Sequence, residues 1–163
     1  MTQESWPLVI KLGRSGSSQA LRESIEKNNV VMSCFAGNML DSMTVTTKKT
    51  VVRLVQMLDT DLGFDAPYTI QNLLDRAVER GYDLCPAECG PLVRLAHTSQ
   101  TSVSMLIGMR PIAGSDGKAG IFEIYRGSIE GKPVLCLWAI PEINGHLKQS
   151  SFMLDHIWLL CKK

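Results

Sequence analysis

The sequence predicts an α+β fold, with helices in the N-terminal half packed on a largely antiparallel C-terminal sheet of about four to five strands. Two observations carry this prediction. Apolar residues recur at helical spacing within 17–81, and beyond residue 101 short apolar runs alternate with the turn sequences GSDGKAG, SIEGKP and PEINGH. Because 163 residues make one ordinary domain and no linker divides the chain, we expect a single globular domain over 1–163.

The N-terminal half is predicted to hold a strand, two short helices, a longer strand and a well-patterned helix. In chain order these are a strand at 6–12, a helix that starts at Ser17 or Ser18, a helix at 33–43, a strand at 44–58 and a helix at 69–81. The last helix is the clearest. Thr69 can cap it, Gly81 stands at its C-terminal stop, and one apolar stripe runs along it through Ile70, Leu73, Leu74, Ala77 and Val78.

The C-terminal half reads as strands joined by turns. The apolar runs lie at 102–112, 120–127, 133–140 and 152–162, and glycine-containing turn sequences separate them. We therefore expect an antiparallel meander of about four strands.

Composition argues against several classes of protein. The 17 Lys and Arg residues nearly balance 16 Asp and Glu, so a dedicated nucleic-acid binder with a large basic surface is not favoured. The first residues do not resemble a secretory signal, and no stretch approaches the roughly 18 apolar residues of a membrane span. The five cysteines are odd in number and lie mostly in apolar runs, which suits reduced thiols in a cytoplasmic protein.

The segment DLCPAECGPLVRL (83–95) concentrates cysteine, proline and acid in thirteen positions. We interpret it as an architectural corner. Cys85 precedes Pro86 and Glu88 as at a helix entry, where the carboxylate can reach back to the amide of Cys85. A second short helix or turn could restart at Pro91. Glu88 and Arg94 would satisfy backbone groups beside buried turns.

Two chemical interpretations compete with that corner. Cys85 could be a nucleophile at a helix N-terminus, with His97 as the nearest histidine in sequence, although no signature links the two. Cys85 and Cys89 also have C-x3-C spacing with His97 nearby, but structural zinc sites usually show a second compact pair of ligands. We therefore expect no bound metal and no cofactor.

Further candidate binding residues lie near the N-terminus. GRSGSSQALR (13–22) follows a predicted strand, so its amides could bind an anion with help from Arg14 or Arg22, although Ser17 as a helix cap explains the same residues. GSDGKAG (114–120) lacks the closing glutamate of a calcium loop and is predicted to be a hairpin turn. Trp6, Trp138 and Trp158 could be either core or an exposed stacking surface.

The segment ERGYDLCPAECGPLVRL resembles a group of small uncharacterised bacterial proteins that carry an L-C-P-A-E-x-G-P-x-x-R-L motif after a similar helix. The resemblance extends to GMRPIAGSDG and faintly to FAGNML. Cys89 departs from it, since those proteins usually carry an aliphatic residue there. The resemblance implies a shared fold and no particular activity.

From these observations the sequence predicts a non-enzymatic binding or interaction module with a protein partner or small ligand. A small cysteine-dependent enzyme centred on Cys85 is one alternative. The other is a nucleic-acid-associated accessory protein that uses Lys48, Lys49, Arg53 and further scattered basic residues.

Overall fold

A computed structural model describes residues 6–101, 104–147 and 155–163 of the chain. In that part the protein is an α+β domain with four helices and a ten-stranded mixed sheet curled into a half-barrel. The helices are α1 (Ser18–Lys27), α2 (Cys34–Ser42), α3 (Ile70–Glu79) and α4 (Cys89–Ala96). The strands are β1 (Leu8–Leu12), β2 (Val31–Met32), β3 (Thr50–Leu58), β4 (Tyr82–Asp83), β5 (Ser104–Ile107), β6 (Ile112–Ala113), β7 (Ala119–Ile129), β8 (Lys132–Ile143), β9 (His146–Leu147) and β10 (Ile157–Lys162).

The sheet runs in the order β1-β3-β10-β5-β7-β8-β2, with β4 beside β10, β6 beside β7 and β9 beside β8. The α+β class is confirmed, but two finer expectations are wrong. Helices are interspersed among strands rather than gathered in the N-terminal half, and the sheet exceeds four to five strands. The physical reason is that strands from the N-terminal half, β1, β2 and β3, join the same sheet as the C-terminal strands.

The predicted helices are confirmed together with their caps. The hydroxyls of Ser17 and Ser33 each accept a hydrogen bond from an amide of the first turn, at 3.1 Å in both cases. Thr69 forms a reciprocal capping box with Asn72 at the start of α3. Val78 was expected in the apolar stripe of α3 but is 47% exposed, so the stripe consists of its four buried neighbours.

The expected meander is only partly present. Strands β7 and β8 form a long hairpin whose turn residues Glu130 and Gly131 both have positive φ, as type I′ turns require. GSDGKAG makes the turn between β6 and β7, as predicted. However, β5 pairs in parallel with β10, and β10 lies between β5 and β3 in the sheet. The predicted strands at 102–112 and 152–162 include residues 102–103 and 152–154, which lie outside the described residues.

Helix α4 packs closely on the sheet. A Cβ built on Gly90 would lie 2.6 Å from the ring of Phe122, so the helix approaches β7 at a distance that only glycine permits. Through α4 the core becomes continuous from β1 to β8. Within the described residues, no helix combines the length and apolar character needed to cross a membrane.

Candidate functional site: three buried thiols and a basic face

Three cysteines meet beneath the first turn of α4. Cys85 lies in the turn after β4, Cys89 is the first residue of α4, and Cys161 is on β10. The three sulfur atoms lie within 4.8 Å of one another, and those of Cys85 and Cys161 are 3.6 Å apart. The residues are 4%, 0% and 4% exposed respectively, so the cluster belongs to the core. We call Cys85, Cys89 and Cys161 the thiol cluster.

Backbone pairing explains why these residues meet. Strand β4 lies beside β10 with Asp83 opposite Cys161, so the chain is next to β10 when it turns at Cys85. There the amide of Cys85 donates to the carbonyl of Gly108 at 2.8 Å, and its thiol donates to the carbonyl of Leu159 at 3.2 Å. Both contacts fasten the turn to the sheet, and α4 then begins directly over Cys161.

Close contact between the three thiols shifts their pKa values in different directions. Hydrogen bonding to Cys85 first, and then to Cys89, lowers the pKa of Cys161 although burial opposes the shift. The same contact with Cys161, together with burial, raises the pKa of Cys85 and of Cys89 well above the ordinary range. The pKa of Cys161 therefore lies below those of Cys85 and Cys89.

The sequence located two members of this cluster and missed the third. The C-x3-C spacing of Cys85 and Cys89 was visible, whereas Cys161 lies 76 residues beyond Cys85 in an apolar run. Cys85 does not sit at a helix N-terminus as expected, because α4 begins at Cys89. His97 is buried elsewhere, with its ring 5.6 Å from that of Trp6 in an edge contact.

Glu88 is an architectural residue, but not in the predicted way. Its carboxylate accepts hydrogen bonds from the amides of Gly13 at 3.3 Å and Thr46 at 3.1 Å. The predicted contact with the amide of Cys85 is wrong, because that amide is already bonded to Gly108. Glu88 is 1% exposed, so it joins two distant loops rather than capping its own turn.

Arg94 is completely buried on α4. Its guanidinium donates to the side-chain oxygen of Gln100 and to the carbonyl of His97, and the Gln100 amide donates to the carbonyl of Ile124 at 3.2 Å. This chain of hydrogen bonds ties the end of α4 to β7. Burial makes Arg94 unavailable as a direct contact for a ligand.

An exposed group of cations lies where β1, β3 and β10 adjoin. The register places Arg53 between Val9 on β1 and Lys162 on β10, and places Lys11 opposite Val51. Side chains directly opposite each other point to the same face, so Lys11, Arg53 and Lys162 project together. All three are exposed, and so are Lys48 and Lys49 just before β3. We call Lys11, Lys48, Lys49, Arg53 and Lys162 the basic face.

The two other N-terminal candidate residues differ in their availability for binding. Arg14 is exposed and follows Gly13, where a Cβ would lie 2.4 Å from the carbonyl of Lys48, so the loop after β1 touches the segment before β3. Ser17 is occupied as the cap of α1. Part of the predicted anion loop is also occupied, because the Gly13 amide donates to Glu88.

A second polar region lies further along the sheet. Glu123 accepts a hydrogen bond from the hydroxyl of Ser104, and burial raises the pKa of its carboxyl. Trp138 stands directly opposite Glu123, is 43% exposed, and packs against Tyr125 with ring centroids 5.4 Å apart. The three tryptophans thus differ in burial. Trp158 is in the core, Trp6 is half-buried and Trp138 is exposed.

Neither the family models nor the curated proteins nor the solved structures that were compared with this chain include a match. The resemblance to the motif-bearing bacterial proteins stays a prediction. Within that motif, the structure places Glu88, Gly90 and Arg94 in buried architectural contacts.

Proposed function

We propose that the protein is a non-enzymatic binding module whose basic face binds the phosphate backbone of a nucleic acid, preferably a single strand. The observation that carries this proposal is that Arg53 lies directly opposite Lys162 on an adjacent antiparallel strand. Like charges in that position repel each other and destabilise the pairing. A phosphate bound between them replaces this repulsion with two charge-assisted hydrogen bonds.

The surroundings of this pair suit an extended polyanion. Lys11 lies diagonally from Arg53 across the β1–β3 ladder, a separation of about 7–8 Å between Cα atoms. Val9 and Val51, each 49% exposed, provide apolar surface between the cations. The resulting surface can contact both the phosphates and the sugars of one strand.

An aromatic ring ends the row of side chains that crosses the sheet at Arg53. Tyr82 on β4 lies opposite Lys162, so the row runs Val9, Arg53, Lys162, Tyr82 over four adjacent strands. Its ring is half-buried and packs partly against the core, so one part of it is available to a base. Aromatic rings beside cations stack on unpaired bases, which is why a single strand is favoured over a duplex. The near-neutral net charge does not oppose the proposal, because the cations are clustered locally.

The sequence alternative of a cysteine enzyme receives no support from the geometry. Among the described residues, Cys85 has no histidine as a hydrogen-bond partner, and its pKa is raised rather than lowered. A thiol of that kind is protonated at neutral pH and is a poor nucleophile. A protein partner or small ligand, expected from the sequence, stays a prediction.

The test is the salt dependence of binding to a fluorescently labelled oligonucleotide, measured by anisotropy for single-stranded and duplex forms. We expect the variant Arg53→Ala/Lys162→Ala to bind more weakly and to lower the slope of log K against log salt by about 0.7, since the pair holds one phosphate and each single-strand phosphate contact contributes about 0.7. Lys27→Ala/Lys132→Ala is the matched control, because it removes two exposed charges on other elements.

Equal losses in the two double variants would contradict the proposal, since they would show only a general charge effect. Binding to anionic lipid vesicles or acidic peptides without binding to the oligonucleotide would also contradict it. Tyr82→Leu separates strand preference from charge. It should reduce the preference for the single strand while leaving the salt slope unchanged.

A further inference from the structure

We propose that Cys85, Cys89 and Cys161 form a binding site for one thiophilic metal ion, held by three sulfur atoms. This inference is independent of the nucleic-acid proposal, because neighbouring residues of β10 point to opposite faces of the sheet. Lys162 belongs to the exposed basic face, whereas Cys161 is buried beneath α4.

The distances between the sulfur atoms are those of a metal–thiolate site that is nearly formed. A metal ion about 2.3 Å from each sulfur holds the sulfurs about 3.8 Å apart in tetrahedral and about 4.0 Å apart in trigonal coordination. Here one pair is 3.6 Å apart and all three lie within 4.8 Å of one another. Changes of at most about 1 Å in the separations between the sulfur atoms would therefore complete the site.

The number of ligands favours Cu(I) over Zn²⁺. Structural Zn²⁺ takes four ligands, and in the described part of the chain the cluster contains three groups of metal-binding type. Soft thiolate ligands select Cu(I) as well as Zn²⁺, and Cu(I) accepts three sulfur ligands without a fourth. Deep burial also limits access of water to a fourth position.

Binding replaces protons with metal and transfers no electrons. The S–H bonds of the three cysteines break, their protons pass to solvent, and three metal–sulfur bonds form in their place. The complex with a monovalent ion carries excess negative charge. Because Cys89 is the first residue of α4, the positive end of the helix dipole lies at the cluster and stabilises that charge.

Two other cysteines provide matched controls for this site. Cys136 is 3% exposed and lies on β8, so it is a buried thiol outside the cluster. Cys34 is exposed at the start of α2. Neither belongs to the group of three whose sulfur atoms converge.

The experiment titrates the reduced full chain with Cu(I) under anaerobic conditions, and separately with Zn²⁺, against a competing chelator. We expect one Cu(I) per chain in the wild type and in the Cys34→Ala and Cys136→Ala variants. Loss of an outer partner of a ligand already costs about 10–100-fold in metal affinity, so Cys89→Ala should weaken binding by about 100-fold or more. Arg53→Ala/Lys162→Ala should bind Cu(I) like the wild type, which separates this result from the nucleic-acid proposal.

X-ray absorption of the wild-type complex needs no variant and therefore decides the matter even if Cys89→Ala does not fold. Three sulfur neighbours at about 2.3 Å would support the site. Two sulfurs, or nitrogen and oxygen neighbours, would overturn it, as would unchanged affinity in a folded Cys89→Ala. Four-coordinate Zn²⁺ bound more tightly than Cu(I) would overturn the three-ligand assignment.

Discussion

Two buried carboxylates stand at opposite ends of β3 and fasten the chain there with different kinds of partner. Glu88 lies beside the segment that leads into the strand, where it accepts hydrogen bonds from the amides of Gly13 and Thr46. Asp59 directly follows the last residue of the strand and is fully buried. Each carboxylate thus satisfies backbone groups that the strand ladders leave unpaired.

The partners of Asp59 include ionisable side chains, and this is the main difference from Glu88. Its oxygens accept from the amide of Asp155 at 2.8 Å and from the hydroxyl of Tyr68 at 2.9 Å, and they lie 3.2 Å from Nδ1 of His156. Glu88, by comparison, has only backbone amides among its described partners. The comparison shows that one side-chain type can act as a fixed connector at one end of a strand and as part of a titratable network at the other.

The largest expected effect comes from removing the carboxylate with more partners. Asp59→Ala removes a fully buried carboxylate that accepts from the part-buried donors of Asp155, Tyr68 and His156, and the loss of these hydrogen bonds to a charged group costs about 3–5 kcal/mol in total. A urea titration should show this fall in the free energy of unfolding. A loss below that from Glu88→Ala would invert the comparison.

Glu88→Ala should have the next largest effect. Two part-buried amides lose their acceptor, and an unsatisfied donor costs about 1–3 kcal/mol when fully buried, so at partial burial we expect a loss of about 2–4 kcal/mol for the two. Glu88→Gln is the control, because its amide oxygen can still accept one of the two bonds, and it should lose less. Identical unfolding midpoints for Glu88→Ala and the wild type would show that Glu88 does not connect these loops.

This pair of carboxylates also shows what sequence can and cannot reveal. The sequence predicted that Glu88 satisfies backbone groups, because its position after Pro86 is typical of a helix entry. Its actual partners lie 75 and 42 residues away, at Gly13 and Thr46. Helix caps and hairpin turns such as Glu130–Gly131 depend on neighbouring residues and were predictable, whereas contacts between distant loops depend on the assembled sheet.

In both candidate sites, likewise, the sequence revealed some of the residues but not the long-range contacts that bring them together. The cysteine pair of the thiol cluster was visible from its spacing, but its third member required the pairing of β4 with β10. Arg53 was singled out in the sequence, yet its position opposite Lys162 depends on the register between β3 and β10. Neither strand encodes that register by itself. The register depends on how the alternating apolar residues of the two strands meet in the folded sheet.

A smaller effect is expected from pH. Burial alone would raise the pKa of Asp59, but hydrogen bonds from Asp155, Tyr68 and His156 outweigh it and lower the pKa below the ordinary value of 3.8. A depressed pKa in the folded state gives stability that is present above the unfolded value and lost as pH falls through the folded one. Wild-type stability should therefore fall more steeply below about pH 4 than that of Asp59→Asn, as acid titrations followed by circular dichroism would measure.

Glu123 supplies a control of opposite sign. Burial raises the pKa of its carboxyl above the ordinary value of 4.5, so its ionisation lowers stability as pH rises through that value. Glu123→Gln should accordingly gain stability relative to the wild type between acid and neutral pH. Parallel pH curves for Asp59→Asn and Glu123→Gln would contradict the assignment of both shifts.

The smallest effect concerns the hydroxyl of Tyr68, which links Asp59 to the core. It donates to Asp59 and lies 3.3 Å from Nε1 of Trp158, whose indole N–H donates to it. Tyr68→Phe keeps the ring but leaves the indole N–H without this acceptor, so it should cost about 1–2 kcal/mol, less than Asp59→Ala. Because both changes act on one network, the double variant should lose less than the sum of the two single losses. Strict additivity in denaturant titrations would show that Tyr68 and Asp59 act separately, and the contrast with Glu88 would then depend on His156 alone.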